Sequence, residues 1–253
     1  MKPEVQRPLT PPIRFPEPPP ILEALATGEL VDCRPAPVGS NATFFAVVSH
    51  GARWRCPVVY KPRRGEAPLW DFPEGTLYRR EYTSYLLSEA VGWGFVPPTV
   101  VRDGPYGIGA VQVYVASDPT ANYFTLRRRY REEMVKLCAF DVIANNADRK
   151  AGHCLLGTDG RLWAIDHGIT FHSEPKLRTV IWDFAGERLP RPVVEDLQHL
   201  RDELGRPGGL AEQLADLLTE SEVEAFVRRL EALLAAGVFP LPGPWRSVPW
   251  PLV

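Results

Sequence analysis

The chain has 253 residues, which is enough for one large domain or two small lobes with a substantial core. Hydrophobic residues make up 45% and charged residues 24% of the sequence, the composition of an ordinary globular protein. Its 29 basic and 31 acidic residues leave a net charge of −2, which excludes the broad positive field of a general nucleic-acid-binding protein.

The first twenty residues are rich in proline, which occupies eight of these positions. Proline fixes φ and lacks the backbone N–H that helices and sheets use, so residues 1–20 are predicted to form an extended arm. Proline-rich segments are common as linkers, and an arm lying on its own domain is favoured here over a ligand for an SH3-type domain.

Residues 21–117 are predicted to form a small β-rich lobe with one long helix. Turn signals separate its apolar runs, and Tyr82, Tyr85 and Leu86 recur at helical spacing. The predicted elements are a short helix at Ile21–Gly28, strands at Leu30–Pro35, Thr43–Ser49, Trp54–Lys61, Val96–Arg102 and Ala110–Ala116, and a helix at Tyr78–Val91.

Residues 118–253 have a different pattern, which predicts a mostly helical lobe. The predicted elements are a long helix over 125–146, a hairpin of Cys154–Leu156 and Leu162–Ile165, and helices at Pro192–Leu204 and Leu210–Gly237. Together the two parts predict an α+β fold of two lobes with a cleft between them.

Signals for export or membrane insertion are absent from the sequence. Cys33, Cys56, Cys138 and Cys154 are scattered without a Cys-x-x-Cys pair, which favours reduced thiols over a disulfide framework. No apolar run approaches the ~18 residues that a membrane-spanning helix needs. We therefore expect a cytoplasmic protein with at most peripheral membrane contact and no nucleic-acid partner.

The stretch 144–171 reads ANNADRKAGHCLLGTDGRLWAIDHGITF and contains most of the candidate catalytic and metal-binding residues. Asp148 follows the end of a predicted helix, His153 comes five residues later, and Asp166 closes the predicted hairpin. In kinases, an aspartate, a metal ligand five residues on and an Asp-x-Gly after a hairpin form the catalytic and metal-binding loops.

Phosphoryl transfer also needs a lysine on the phosphates and an acid that holds this lysine. Lys61 ends the third predicted strand. Glu81 lies in the following helix and is favoured as its partner over Glu89, which lies at the far end of that helix. A lysine that closes an apolar strand is also compatible with a solvated edge position.

These residues resemble a known family. The stretches NNADRKAGH and AIDHGITF are similar to the Asp-Arg-x-x-x-Asn and Ile-Asp-x-Gly motifs of the phosphatidylinositol 3-/4-kinase superfamily. The resemblance is closest to its type II 4-kinase branch and to actinobacterial proteins of the superfamily. It covers residues 30–185 in order and implies a two-lobed protein-kinase-like fold with ATP in the cleft.

The resemblance also implies a role for individual residues. Catalysis is assigned to Asp148, Lys61 and Arg149, and metal binding to His153 and Asp166. The residues expected to bind the nucleotide are Gly39, Ser40 and Asn41 in a lid turn, Lys61, Glu81, Gln112, Tyr114 and Val115.

His153 stands where the family usually has asparagine. An amide oxygen suits Mg²⁺, whereas an imidazole nitrogen is a softer ligand that suits Mn²⁺, Zn²⁺ or Fe²⁺. The expected cofactors are therefore ATP with Mg²⁺ or Mn²⁺. The alternatives for His153 are metal binding through water, contact with phosphate as a cation, and a purely structural role.

The acceptor is predicted only as a hydroxyl group on an inositol lipid, a protein or a small molecule. Lys176 and Arg178 follow the metal-binding motif and are candidates for contacting an anionic acceptor, or else face solvent.

Three alternatives to a kinase stay open. One is a nucleotide-binding pseudokinase scaffold, and another is transfer of AMP instead of phosphate. The third is a zinc or iron hydrolase, whose candidate ligands are His153, Cys154, Asp166, His167 and His172.

Overall fold

The structure is a computed structural model that describes residues 20–37, 39–51, 54–244 and 246–253. The predicted arm at 1–20 lies outside these residues except for Pro20. In the described part of the chain, none of the helices combines the length and the apolar character needed to cross a membrane.

A five-stranded antiparallel sheet carries the first half of the site. Its strands are β1 (Glu29–Pro35), β2 (Phe44–His50), β3 (Trp54–Pro62), β4 (Thr99–Gly104) and β5 (Gly107–Val113), in the spatial order β1-β2-β3-β5-β4. Alternate apolar residues, among them Val48, Val58 and Val111, form a buried cluster on one face. Helix α1 (Ile21–Thr27) adds Leu25 to this cluster. The central strand β3 pairs Lys61 with Ala110 of β5, which fixes the lysine in the middle of the sheet.

Helix α2 (Leu77–Ala90) is covered on several sides. Nine of its fourteen residues are buried, and five of these are polar: Arg80, Glu81, Thr83, Ser84 and Ser88. A buried polar group needs a hydrogen-bond partner to offset its lost hydration. The helix is therefore held in place by specific polar contacts as well as by apolar packing.

The second half is mostly helical and has a separate, larger apolar core. Its elements are α3 (Tyr123–Leu126), α4 (Arg131–Ala144), the hairpin of β6 (Cys154–Leu156) and β7 (Leu162–Ala164), α5 (Arg191–Leu204), α6 (Leu210–Ala215) and α7 (Glu220–Ala236). Residues Leu137, Phe140 and Ile143 of α4 are fully buried at the centre of this core. The α+β fold class is confirmed.

Three predicted boundaries are corrected. The helix predicted over 125–146 is split, because Asn122 forms a capping box that begins α3 and Tyr130 has non-helical backbone angles before α4. The helix predicted at Leu210–Gly237 is likewise two helices, since a capping box between Thr219 and Glu222 starts α7 afresh. Strand β5 ends at Val113, three residues earlier than predicted.

Candidate active site

A cleft of about 380 Å³ lies between the sheet and the β6–β7 hairpin. Strand β3, strand β5 and the segment after β5 form one wall, and the segments around β6 and after β7 form the other. The residues lining it include Gly39, Ser40, Asn41, Lys61, Gln112, Tyr114, Val115, His153 and Asp166. The structure thus brings nine of the predicted site residues into one cavity.

Lys61 makes two ion pairs at the floor of this cleft. Its Nζ atom contacts Glu81 Oε1 and lies 3.0 Å from Asp166 Oδ1. Burial lowers the pKa of Lys61, but the charges of Asp166 and Glu81 more than offset this and hold the pKa above its ordinary value. Lys61 is therefore a permanent cation at neutral pH, as a phosphate ligand must be. Glu89 is exposed, so Glu81 is the acid that meets the lysine.

Glu81 also reaches the loop that carries Asp166. Its second oxygen, Oε2, accepts a hydrogen bond of 3.1 Å from the backbone N–H of His167. One buried carboxylate thus fixes both the lysine and the loop, and neither needs to reorganise when an anion enters the cleft.

Asp166 lies at the exit of β7 with φ +62°, a conformation that only a few non-glycine residues adopt readily. This backbone turns its side chain, which is half exposed, toward Lys61. The nearby positive charge of Lys61 lowers the pKa of Asp166 and outweighs the partial burial of this carboxyl group, which acts in the opposite direction. The carboxylate stays ionised and is suited to bind a divalent cation.

Asp148 lies in the loop after α4. The helix ends at Asn145, which has the left-handed φ of +51°, and Asn146 Oδ1 then accepts a hydrogen bond from the Asp148 N–H at 3.0 Å. The Asp148 carboxylate is about one-quarter exposed and pairs with Lys150 Nζ at 2.9 Å. Burial raises the pKa of Asp148, and the contact with Lys150 opposes this rise. A carboxylate of raised basicity suits a group that accepts a proton.

The structure places Arg149, which the sequence assigned to catalysis, in the buried interior beside the catalytic motif. The guanidinium is fully buried and is engaged by Asp141 at 2.9 Å, by the Ile165 carbonyl at 3.0 Å and by His167 Nε2 at 2.6 Å. These contacts tie the loop of Asp148 to the loop of Asp166. Arg149 is therefore a positioning residue.

Asp141 is the counterpart that sequence reasoning missed. It is fully buried in α4 and accepts hydrogen bonds from Arg149, from Asn146 Nδ2 at 3.0 Å and from Thr179 Oγ1 at 3.1 Å. An acidic residue in the apolar run LCAFDVIA is the signal that could have identified it, because a buried charge needs a partner.

His153 sits between the two loops. Its Nε2 atom lies 3.3 Å from Asp166 Oδ2, and its Nδ1 atom lies 3.4 Å from the Lys150 backbone nitrogen. Burial lowers the pKa of His153 to about 4, so the imidazole is neutral at pH 7. A neutral imidazole either ligates a metal or donates a hydrogen bond to Asp166.

The donor set suits a metal that is bound together with phosphate. In the residues that the structure describes, no group of three or more His, Cys, Asp or Glu side chains is arranged to hold a metal ion. Two protein ligands, His153 and Asp166, would hold Mg²⁺ or Mn²⁺ once phosphate oxygens and water complete the shell, as such ions commonly bind in nucleotide sites.

The residues proposed for a zinc or iron hydrolase do not converge. His167 is fully buried against Arg149, and His172 Nε2 lies 2.7 Å from the Asp71 carbonyl. Cys154 is fully buried, and burial raises its pKa to about 12, so it is a neutral thiol. The geometry disfavours that alternative.

Several of the residues predicted to bind the nucleotide already make hydrogen bonds within the protein. Tyr114 and Val115 line the cleft, and the Tyr114 N–H is already used because it donates to the Pro57 carbonyl at 2.9 Å. Gln112 is buried at the rear of the cleft, where its Nε2 donates to Thr99 Oγ1 at 2.9 Å. Asn41 anchors the lid turn, since its Oδ1 accepts from the Ala67 N–H at 2.8 Å.

The two cations predicted to meet an acceptor are placed differently. Lys176 is paired with Asp71 at 3.0 Å, whereas Arg178 lines a second cavity of about 390 Å³ together with Arg246. The Arg178 backbone also contacts the loop after α4, because its N–H donates to the Asn146 carbonyl at 2.8 Å.

Comparison with known sequences gives two matches. Residues 101–242 match the family described as "Phosphatidylinositol 3- and 4-kinase". Over 262 aligned residues the chain is 40% identical to "Protein Rv2133c" of Mycobacterium tuberculosis (strain ATCC 25618 / H37Rv), covering 90% of this chain and 93% of that protein.

Comparison with solved structures gives kinases. The Golgi casein kinase with Mn/ADP bound superposes with a TM-score of 0.54 at 15% identity, covering 85% of this chain and 74% of that one. Hydra Fam20 with sugar gives 0.54 at 14% identity, covering 85% and 86%. The Helicobacter pylori proinflammatory kinase CtkA gives 0.50 at 9% identity, covering 85% and 94%. The predicted two-lobed kinase-like fold is thereby confirmed.

Proposed function

Since this chain belongs to the phosphatidylinositol 3- and 4-kinase family, we propose that it transfers the γ-phosphoryl group of ATP to a hydroxyl acceptor. The observation that carries this proposal is the contact of Lys61 with both Glu81 and Asp166 in a cleft that also holds the lid turn. A lysine fixed by a buried glutamate beside a metal-binding aspartate is the arrangement that phosphoryl transfer uses.

Each residue has a defined task in this mechanism. Lys61 binds the phosphates, and Glu81 fixes its direction. Asp148 orients the acceptor hydroxyl and accepts its proton as the new O–P bond forms, while the bond from the γ-phosphorus to the leaving oxygen breaks and ADP carries away the electron pair. The raised pKa of Asp148 favours this proton transfer.

His153 and Asp166 would hold Mg²⁺ or Mn²⁺, which neutralises charge on the phosphate oxygens when bound. The similar Golgi casein kinase structure contains Mn/ADP, which supports a nucleotide with a divalent metal in this cleft.

The acceptor belongs to the proposal only as a class. An inositol lipid, a protein or a small molecule fits the requirement for a hydroxyl near Asp148. The domain limits of 21–117 and 118–253 are proposed as the two lobes that enclose the cleft.

A nucleotide-binding scaffold with little transfer is a second candidate, and one observation favours it. His153 Nε2 faces Asp166 at 3.3 Å, and an imidazole that donates there occupies one oxygen that a metal would use. Retention of Asp148 and Asp166 favours the active enzyme.

The test combines binding with transfer. ATP with Mg²⁺ or Mn²⁺ is expected to raise the melting temperature of the native chain, because it binds only the folded cleft. Lys61→Ala should lose most of this shift, whereas Lys136→Ala, a matched change in α4, should keep it. Release of labelled γ-phosphate to an acceptor or to water then separates an enzyme from a scaffold. The absence of any shift with either metal would refute both candidates.

A further inference from the structure

Arg80 is a buried cation of α2 that the proposed chemistry does not use. Its side chain is 1% exposed. Its Nη1 atom donates to the Thr170 carbonyl at 2.6 Å, and its Nη2 atom lies 2.5 Å from Glu222 Oε1. Its guanidinium carbon also lies 4.9 Å from the ring centroid of Phe72.

Glu222 belongs to the first turn of α7 and is buried as well. Its other oxygen, Oε2, accepts hydrogen bonds of 3.0 Å from the N–H and from the hydroxyl of Thr219. The Glu222 carboxylate therefore caps the N-terminus of α7 and also pairs with Arg80 of α2. This fixes the N-terminus of α7 relative to α2.

The same face of α2 meets the loop after β7 at three points. Glu81 accepts from the His167 N–H at 3.1 Å, Arg80 donates to the Thr170 carbonyl, and Ser84 Oγ lies 3.5 Å from Thr170 Oγ1. Arg80 is the neighbour of Glu81 in the chain, so a shift of Arg80 moves the carboxylate that holds Lys61.

We propose that the Arg80–Glu222 pair is a positioning pair, through which α7 holds α2 in the orientation that places Glu81 against Lys61 and the His167 N–H. This rests on the proposed function for its catalytic consequence, but the mechanical link stands on the contacts alone. Helix α2 is thus locked by the C-terminal half of the chain, and the site is held in its assembled state without a ligand.

The test variant is Arg80→Met/Glu222→Gln. Removing both charges together avoids leaving one buried charge unpaired, and glutamine can still serve in the capping box with Thr219. The matched control is Thr219→Ala, which weakens the start of α7 and keeps both Arg80 and Glu222.

Hydrogen exchange of the ligand-free protein reports the link directly. In the double variant, amides of 77–90 and 165–172 should exchange at least about tenfold faster than in the native chain, because this region opens locally. Amides of α5 serve as an internal reference and should stay within about twofold in the double variant. The control should stay within about twofold in all three regions.

Kinetics report the catalytic consequence. The double variant should lose at least about tenfold in kcat with a smaller change in the KM for ATP, since Lys61 stays in the cleft but loses its alignment. The Thr219→Ala control should keep the native kcat, even if its melting temperature falls as much as that of the double variant.

The proposal is overturned if the folded double variant exchanges like the native chain, or if α5 accelerates as much as α2. If the native chain turns over no ATP, the proposed function fails while hydrogen exchange still decides the link. Should the double variant fail to fold, Arg80→Lys takes its place, because lysine keeps the charge but does not bridge Thr170 and Glu222 with a planar fork. Unchanged exchange in that variant also overturns the proposal.

Discussion

His153 Nε2 lies 3.3 Å from Oδ2 of Asp166, so an imidazole faces the carboxylate that we propose as a metal ligand. The imidazole is neutral, because burial lowers the pKa of His153 to about 4. Its Nδ1 atom faces the Lys150 backbone N–H at 3.4 Å, which favours the tautomer that carries its proton on Nε2. To hold a metal through Nε2, the neutral imidazole would have to carry its proton on Nδ1 instead and give up the contact with the Lys150 N–H.

The first prediction concerns metal choice. We expect Mn²⁺ to support ATP binding at least as well as Mg²⁺, because a nitrogen ligand favours the softer ion. His153→Asn should shift the preference toward Mg²⁺, and calorimetric titration of ATP with each metal measures this. An identical ratio of affinities in both proteins would show that His153 only donates a hydrogen bond to Asp166. His50→Asn, a change on β2, serves as the control.

The second prediction concerns the buried pair of Arg149 and Asp141. Removing one partner leaves the other charge buried and uncompensated, so Arg149→Met should lower the free energy of unfolding by about 3 to 5 kcal/mol. The same change at Arg228, which forms an exposed pair with Glu224 on α7, should cost at most about 1 kcal/mol. Urea denaturation measures both values. Equal losses would contradict the assignment of Arg149 as a buried positioning residue.

Much of the fold could be predicted from sequence because its signals are local. Alternating apolar residues and turn signals identified all five strands of the sheet, with errors of up to three residues at their ends. The start of α4 could not be predicted in this way. The stretch RRRYR at 127–131 fits a helix, but Arg127 instead pairs with Asp183, 56 residues away in the chain.

The site could be predicted in part for a similar reason. Short motifs located Asp148, His153 and Asp166. His153 and Asp166 line the cleft, and Asp148 is near enough to Asp166 for that charge to raise the Asp148 pKa. Sequence does not show whether the arginine after Asp148 faces the cleft or the core, so the burial of Arg149 against Asp141 could not be predicted. The contact of Arg80 with Glu222 spans 142 residues, and no local pattern predicts such a pair.

The third prediction concerns pH. Asp148 must be deprotonated to accept the hydroxyl proton, so kcat should rise with pH through the raised pKa of Asp148. Lys150 Nζ lies 2.9 Å from Asp148 Oδ2, and its positive charge opposes the increase in the pKa of Asp148 that burial causes. Lys150→Gln removes a positive charge and should move the acid limb of the profile to higher pH. Lys136→Gln should leave the limb in place. A lower rate without displacement of the limb would show that Lys150 acts on the substrate instead.

The last prediction separates the two aspartates. Asp148 acts only as transfer occurs, so Asp148→Asn should leave ATP binding nearly intact and lower transfer by ~10²-fold or more. Asp166 acts already in the bound ground state, where it ligates the metal and pairs with Lys61 at 3.0 Å. Asp166→Asn should therefore weaken metal-dependent ATP binding as well as transfer. Calorimetric titration with ATP and metal, beside an assay of ATP hydrolysis or autophosphorylation, measures both effects.

The test depends on which variant loses ATP affinity and which loses only the transfer rate, because the two aspartates have different environments. Asp166 is half exposed in the cleft and pairs with Lys61. Asp148 has no ion pair with Lys61 among the described residues and pairs with Lys150 instead. If Asp148→Asn abolished ATP affinity while Asp166→Asn preserved it, the two roles would be reversed. If both variants bound and transferred like the native chain, the loops that carry them would have no part in catalysis, and the kinase mechanism would fail even though the fold is that of a kinase.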